Sequence, residues 1–166
     1  GRSPFETSCA HSDQAGVFRM TTTQEGFHPS SVQATIEQLR YWVPTIKDVA
    51  HVFEGNEDEC WLLSIEPVVA AACPVALALR ETGRFDIAIA GETYEDRLVG
   101  KLEELVLLLE RITQGQIIQR RWVSSVTGVE RGIETIILLG DGAVWRDGPE
   151  PDGYGERHDR HFLPYR

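Results

Sequence analysis

VALALRETGRFDIAIAGE, residues 75–92, is the stretch on which the fold turns. Val75, Leu77 and Leu79 alternate with Ala76, Ala78 and Arg80, while Phe85, Ile87 and Ile89 alternate with Asp86, Ala88, Ala90 and Glu92. Alternation with period two belongs to strands. The stretch therefore predicts a β-hairpin with one bulky and one small face. For the bulky residues to match across the pair, partner positions must sum to an even number. That excludes a two-residue Thr82-Gly83 turn, favours an odd-length loop, and sets Arg80 opposite Asp86.

Directly downstream the period changes. Leu98, Val99, Leu102, Leu105, Val106, Leu108, Leu109 and Ile112 cover half of a helical wheel. Thr93 with Asp96 three positions on has the form of a capping box ahead of them. A long apolar-faced helix ending at Ile112 is expected on the bulky face of the hairpin, with Leu107 turned to the polar side.

Upstream, Ser30-Ser31-Val32-Gln33 has the form of another capping box, and Val32, Ile36, Leu39 and Val43 share one helical face up to Pro44. Ile46, Val49 and Phe53 suit a second short helix; Val49, His51 and Phe53 suit a strand, and the helix is preferred. Cys60 to Ile65 reads as a strand. Beyond the central helix, Ile117 to Val126, with Ile118, Trp122 and Val126 on one face, Ile133 to Leu139 and Ala143 to Arg146 read as strands. Asp141-Gly142 joins the last two as a hairpin turn.

The expected fold is thus α+β: a mainly antiparallel sheet of about six strands against a long apolar-faced helix and one or two N-terminal helices. Residues 1–28 are expected to be a flexible arm, and Met20 offers an alternative start that would make residues 1–19 a leader. Residues 29–146 are expected to form a single α+β domain. Residues 147–166, broken by Gly148-Pro149, Pro151 and Asp152-Gly153, are expected to be an irregular tail.

The chain has 166 residues, 42% hydrophobic and 25% charged, with net charge −10, the balance of an ordinary globular protein. Nucleic-acid binding is not expected, because neutralising phosphates takes clustered Lys and Arg. The adjacent Arg120 and Arg121 point to opposite faces of a strand and make no patch. No apolar run reaches the ~18 residues of a membrane span. Three cysteines, Cys9, Cys60 and Cys73, are an odd count with wide, irregular spacing and do not read as a disulfide framework. A reduced, cytoplasmic setting is expected.

No catalytic or cofactor motif is present, and no cofactor or metal is expected. On the small face of the hairpin, Asp86 or Glu92 could act as a base or, with Arg80, grip a ligand above an alanine floor. The plainer reading is Arg80–Asp86 as an ion pair, with the alanines admitting close approach of protein. Glu134 is an ordinary outward strand position, or, if buried, an acid–base group. His51 is a rim residue before it is a catalyst. Glu54, Glu57, Asp58 and Glu59 lack the spacing of a calcium loop and read as a solvated acidic loop. His158 and His161 with Cys9 and His11 could hold zinc only if the two ends met.

Three functions compete. The favoured one is a non-enzymatic acidic binding or oligomerising protein, expected to be a homodimer. The second is a small-molecule binder or enzyme for a polar or cationic ligand, with Asp86, Glu92, Glu134 or His51 lining a cavity between sheet and helix. The third is an inhibitor whose acidic face blocks a basic protein.

Overall fold

Two antiparallel sheets and two α-helices make up the described residues, 29–149 and 155–166, of the computed structural model. The expected flexible arm, residues 1–28, and the alternative start at Met20 lie outside them.

Helix α1, Pro29–Trp42, buries Val32, Ile36 and Leu39 of the predicted stripe, and Val43, its fourth member, is buried just past the helix end. Pro44 ends it as expected, and the chain tightens into a 3-10 turn over Val43–Ile46. The next segment departs from the helical reading. Ala50–Glu57 is strand β1, hairpinned to β2, Cys60–Pro67, through Asp58-Glu59. Strand geometry turns Phe53 away from the core, and it is 63% exposed. The acidic loop thus resolves into a strand residue, Glu54, held by Arg40 at 2.8 Å, and a tight turn whose Asp58 and Glu59 both have positive φ.

The predicted hairpin is β3, Val75–Arg80, and β4, Phe85–Ile89. Its loop is odd-length: Arg80 N–H donates to the Arg84 carbonyl around Glu81, Thr82 and Gly83, and Gly83 supplies the positive φ that closes it. Val75 faces Ile89, and Leu79 faces Phe85, so the bulky faces match. The register is two residues off the expected one: Asp86 lies opposite Ala78, and Arg80 reaches it diagonally.

The largest correction follows. Thr93 and Asp96 do not cap a helix. Ala90-Gly91, both at positive φ, make a two-residue turn into strand β5, Glu92–Arg97. Helix α2 starts later and is shorter than expected, Glu103–Thr113, with Leu105, Leu108, Leu109 and Ile112 buried. Val99 and Leu102 are buried ahead of its first turn, and Leu98 is exposed. The early half of the apolar pattern is therefore loop that packs, not helix.

Strands β1 to β5 form a five-stranded sheet in sequence order. Its bulky face joins α1 and α2 in the main core. The second sheet runs β8-β7-β6-β9, with β6 Ile117–Ser124, β7 Glu130–Gly140, β8 Ala143–Asp147 and β9 Gly155–His161. Asp141-Gly142 makes the expected β7–β8 turn, both residues at positive φ. Val126 falls beyond β6 and is exposed. With nine strands among the described residues where about six were expected, the difference is β1, β5 and β9. Strand β9 corrects the irregular-tail reading of residues 147–166: it pairs along β6, and Phe162 and Tyr165 beyond it are buried in the core.

The sheets are joined by polar groups that meet only in the folded state. The Tyr94 and Thr135 hydroxyls are 2.6 Å apart. Gln119 donates to the Ile89 carbonyl at 2.9 Å. Arg97 pairs with Asp147 at 2.6 and 3.0 Å. Tyr94 also meets Trp145 edge to face, centroids 5.9 Å apart. Buried Thr135 and Gln119 are thereby satisfied.

Candidate functional site

The small face of the five-stranded sheet carries the first candidate cluster. Arg80 is 8% exposed and Asp86 fully buried. Arg80 Nη2 lies 2.8 and 2.7 Å from the two Asp86 oxygens. Asp86 Oδ1 also accepts the Asp96 backbone N–H at 2.7 Å. That bond explains a kink in β5. Between the pairs Phe85↔Arg97 and Ile87↔Tyr94, Glu95 and Asp96 oppose the single residue Asp86. The extra residue makes a β-bulge, with Asp96 at φ 48–65° like the other non-glycine turn residues, here 55°. The buried carboxylate thus anchors both a guanidinium and a bulge. The outer Asp96 carboxylate lies 3.5 Å from Arg80 and 3.4 Å from Arg84.

Glu92 does not belong to this face. The Ala90-Gly91 turn reverses parity, so Glu92 pairs with Ile89 and stands on the side of the helices. Glu134 sits in the other sheet, 4% exposed, and accepts from Arg146 at 2.7 Å. Its cross-strand neighbour Arg120 is held by Asp159 at 3.0 Å, which draws the Asp159 carboxyl below its ordinary range. Arg121 points the opposite way, to Glu130. His51 is exposed on edge strand β1, opposite Glu66. The four candidate acid–base residues therefore stand at four separate places. Arg80 and Asp86 are the two that meet.

Among the described residues, no cluster of three or more His, Cys, Asp or Glu side chains is placed to hold a metal ion. His158 and His161 are exposed on β9; the Cys9 and His11 half of the zinc reading lies outside the described residues. No described helix is long and apolar enough to cross a membrane.

The cysteines differ from expectation. Cys60 is disulfide-bonded. Cys73 is a buried free thiol, pushed up to about 12 by burial. Its carbonyl accepts the Tyr165 hydroxyl at 2.5 Å, and burial raises that phenol too.

Sequence reasoning missed a cleft of about 220 Å³ between the end of β2 and strand β9, bounded by Glu66, Pro67, Val69, Ala72, Pro74 and Arg160. It brings together a carboxylate of β2 and a guanidinium of β9. Arg160 lies over the Phe162 ring at 4.6 Å. No periodic signal links positions 66 and 160, so only the paired strands reveal it.

No family model, curated protein or solved structure matches this chain.

Proposed function

We propose that this protein is a non-enzymatic binding protein that works as a homodimer through the outer face of its four-stranded sheet. The observation that carries the reading is an apolar strip on that face. Leu138 and Val144 are cross-strand partners, 39% and 45% exposed. Ile136 and Ile118 pair beside them. Next to the strip stand Arg146–Glu134 and Arg120–Asp159, equal numbers of each sign. A second copy related by a two-fold axis can set each charge against its opposite while burying the leucine and valine.

Light scattering on the full chain tests it: the expected mass is twice 18.6 kDa. Leu138→Glu with Val144→Glu should return a monomer with unchanged far-UV circular dichroism. A monomeric parent at tens of micromolar would end the dimer reading.

The cleft at Glu66 and Arg160 favours a second reading, a carrier of a small zwitterion, with Glu66 holding its ammonium and Arg160 its carboxylate. Amino acids tested by calorimetry would bind, and Arg160→Ala would abolish binding. The enzyme variant built on Asp86, Glu92 and Glu134 gains no support, since these groups do not converge. The inhibitor reading rests on the net charge of −10 alone. A cytoplasmic setting is not part of the proposal, because a disulfide at Cys60 fits an oxidising compartment.

A further inference from the structure

We propose that the Glu66–Arg160 cleft takes an amino acid with a carboxylate side chain, of the length of glutamate, whose second carboxylate is held by Arg121 and His158 in an adjoining pocket. This rests on the carrier reading of the cleft and names the class of molecule carried.

Strand pairing builds the pocket. Arg121 of β6 stands between Ile133 of β7 and His158 of β9, and Gln119 lies beside Arg160. Residues paired across strands share a face. Gln119 shows which face this is, because its amide reaches the Ile89 carbonyl of the other sheet. Arg121, His158 and Arg160 therefore gather on the side toward the five-stranded sheet. With Gln119, Ile133 and Asp159 they bound a hollow of about 120 Å³. Arg160 also lines the larger cleft, so one guanidinium serves both spaces.

Charge decides what the pocket takes. The Asp159 carboxylate belongs to the opposite face, where Arg120 holds it at 3.0 Å. Two other carboxylates come near: Glu130 lies 2.5 Å from Arg121 Nε, and Glu156 lies 3.4 Å from His158 Nε2. Both pairs are exposed, and exposed pairs contribute little, so a ligand carboxylate can share these cations at small cost. Arg160 lies over the Phe162 ring and has no carboxylate within ion-pair reach among the described residues. It is the cation left over for the first carboxylate, opposite Glu66 for the ammonium.

Size points to glutamate. His158 and Arg160 stand two residues apart on one strand, roughly 7 Å. The two carboxylates of glutamate match that span better than those of aspartate, one carbon shorter. Cleft and pocket, about 220 and 120 Å³, together have room for about eleven water-sized units at ~30 Å³ each, against roughly ten non-hydrogen atoms in glutamate. Elsewhere the surface of a chain with net charge −10 repels such a ligand, so the preference is set locally.

Calorimetry on the full chain tests this with L-glutamate and L-glutamine, which differ in the charge of one end and hardly in size. Glutamate is expected to bind about tenfold tighter. Arg121→Gln combined with His158→Gln, both exposed positions, should bring glutamate down to the affinity of glutamine and leave glutamine unchanged. Arg160→Ala should lose both ligands. Equal affinities in the parent chain, or a preference that survives in the double variant, would overturn the placement of the second carboxylate while the carrier reading stands. Binding of neither amino acid would remove the carrier reading and this proposal with it.

Discussion

Asp86 has no exposed surface and spends its oxygens on the Arg80 guanidinium and the Asp96 N–H. A buried ion pair adds little net stability, but removing one partner strands the other, at about 3–5 kcal/mol. Asp86→Leu should therefore lower the urea midpoint by an amount equal to roughly 3 kcal/mol or more. Arg80→Met combined with Asp86→Leu should cost less than Asp86→Leu alone. A loss under about 1 kcal/mol in the single variant would mean that the pair is not structural. The pair was legible because alternation fixes which side chains share a face. Its diagonal geometry was not, because alternation does not choose among odd loop lengths. Cys73 carries the second prediction at this scale. Burial lifts its thiol from an ordinary 9.0 to about 12, so the native state keeps a proton that the unfolded chain releases. Its contribution is full below pH 9 and is lost as pH rises toward 12. Native protein at pH 8 should leave Cys73 unlabelled by iodoacetamide, and chemical denaturation at pH 10 should show a lower midpoint than at pH 8. Rapid native labelling would contradict the buried, neutral thiol.

Turns decide the elements that sequence reading lost. Asp141-Gly142 was legible because both residue types tolerate positive φ. Ala90-Gly91 makes the same kind of turn, but alanine gives no such signal, and its φ of 48° is strained for a residue with a Cβ. Without that turn, Thr93 and Asp96 read as a helix cap and β5 disappeared. Helix α2 then lengthened backward across Leu98, Val99 and Leu102, two of which are buried for reasons of packing. The β1 segment failed similarly, since Ile46, Val49 and Phe53 suit a helix while Val49, His51 and Phe53 suit a strand, and edge strands carry few core residues. A strained turn is also a place to gain stability. Ala90→Gly should raise the midpoint of unfolding by roughly 0.5–1 kcal/mol, after the entropic cost of glycine in the unfolded chain is taken off. Glu59→Gly, at φ 65° in the β1–β2 turn, should act in the same direction. A loss of stability at both sites would show that these turns are not strained.

Across the whole molecule, the end of the chain closes what its middle begins. Strand β9 pairs with β6 from Ile118↔His161 to Ser124↔Gly155 and covers an edge that would otherwise be open. Phe162 and Tyr165 then enter the main core, Tyr165 N–H donates to the Thr113 carbonyl at 2.8 Å, and Arg166 pairs with Asp48 at 2.8 Å beyond α1. The sequence hid this because strand β9, Gly155–His161, is polar at nearly every position and exposed along its length; an edge strand needs no apolar alternation to pair. Its two core aromatics stand outside any periodic run. Losing two buried aromatics costs about 3–5 kcal/mol each, against a net stability of only ~5–15 kcal/mol for a domain. A chain ending at residue 149 should therefore lose its cooperative thermal transition and its near-ultraviolet dichroism. The less drastic Tyr165→Phe should remain folded and lose about 1–2 kcal/mol, because the Cys73 carbonyl then has no donor from that ring. If the truncated chain still melts cooperatively near the parent temperature, the core is complete without its C-terminal segment, and the closure of the two sheets around α2 has to be explained by β6, β7 and the Tyr94–Thr135 contact alone.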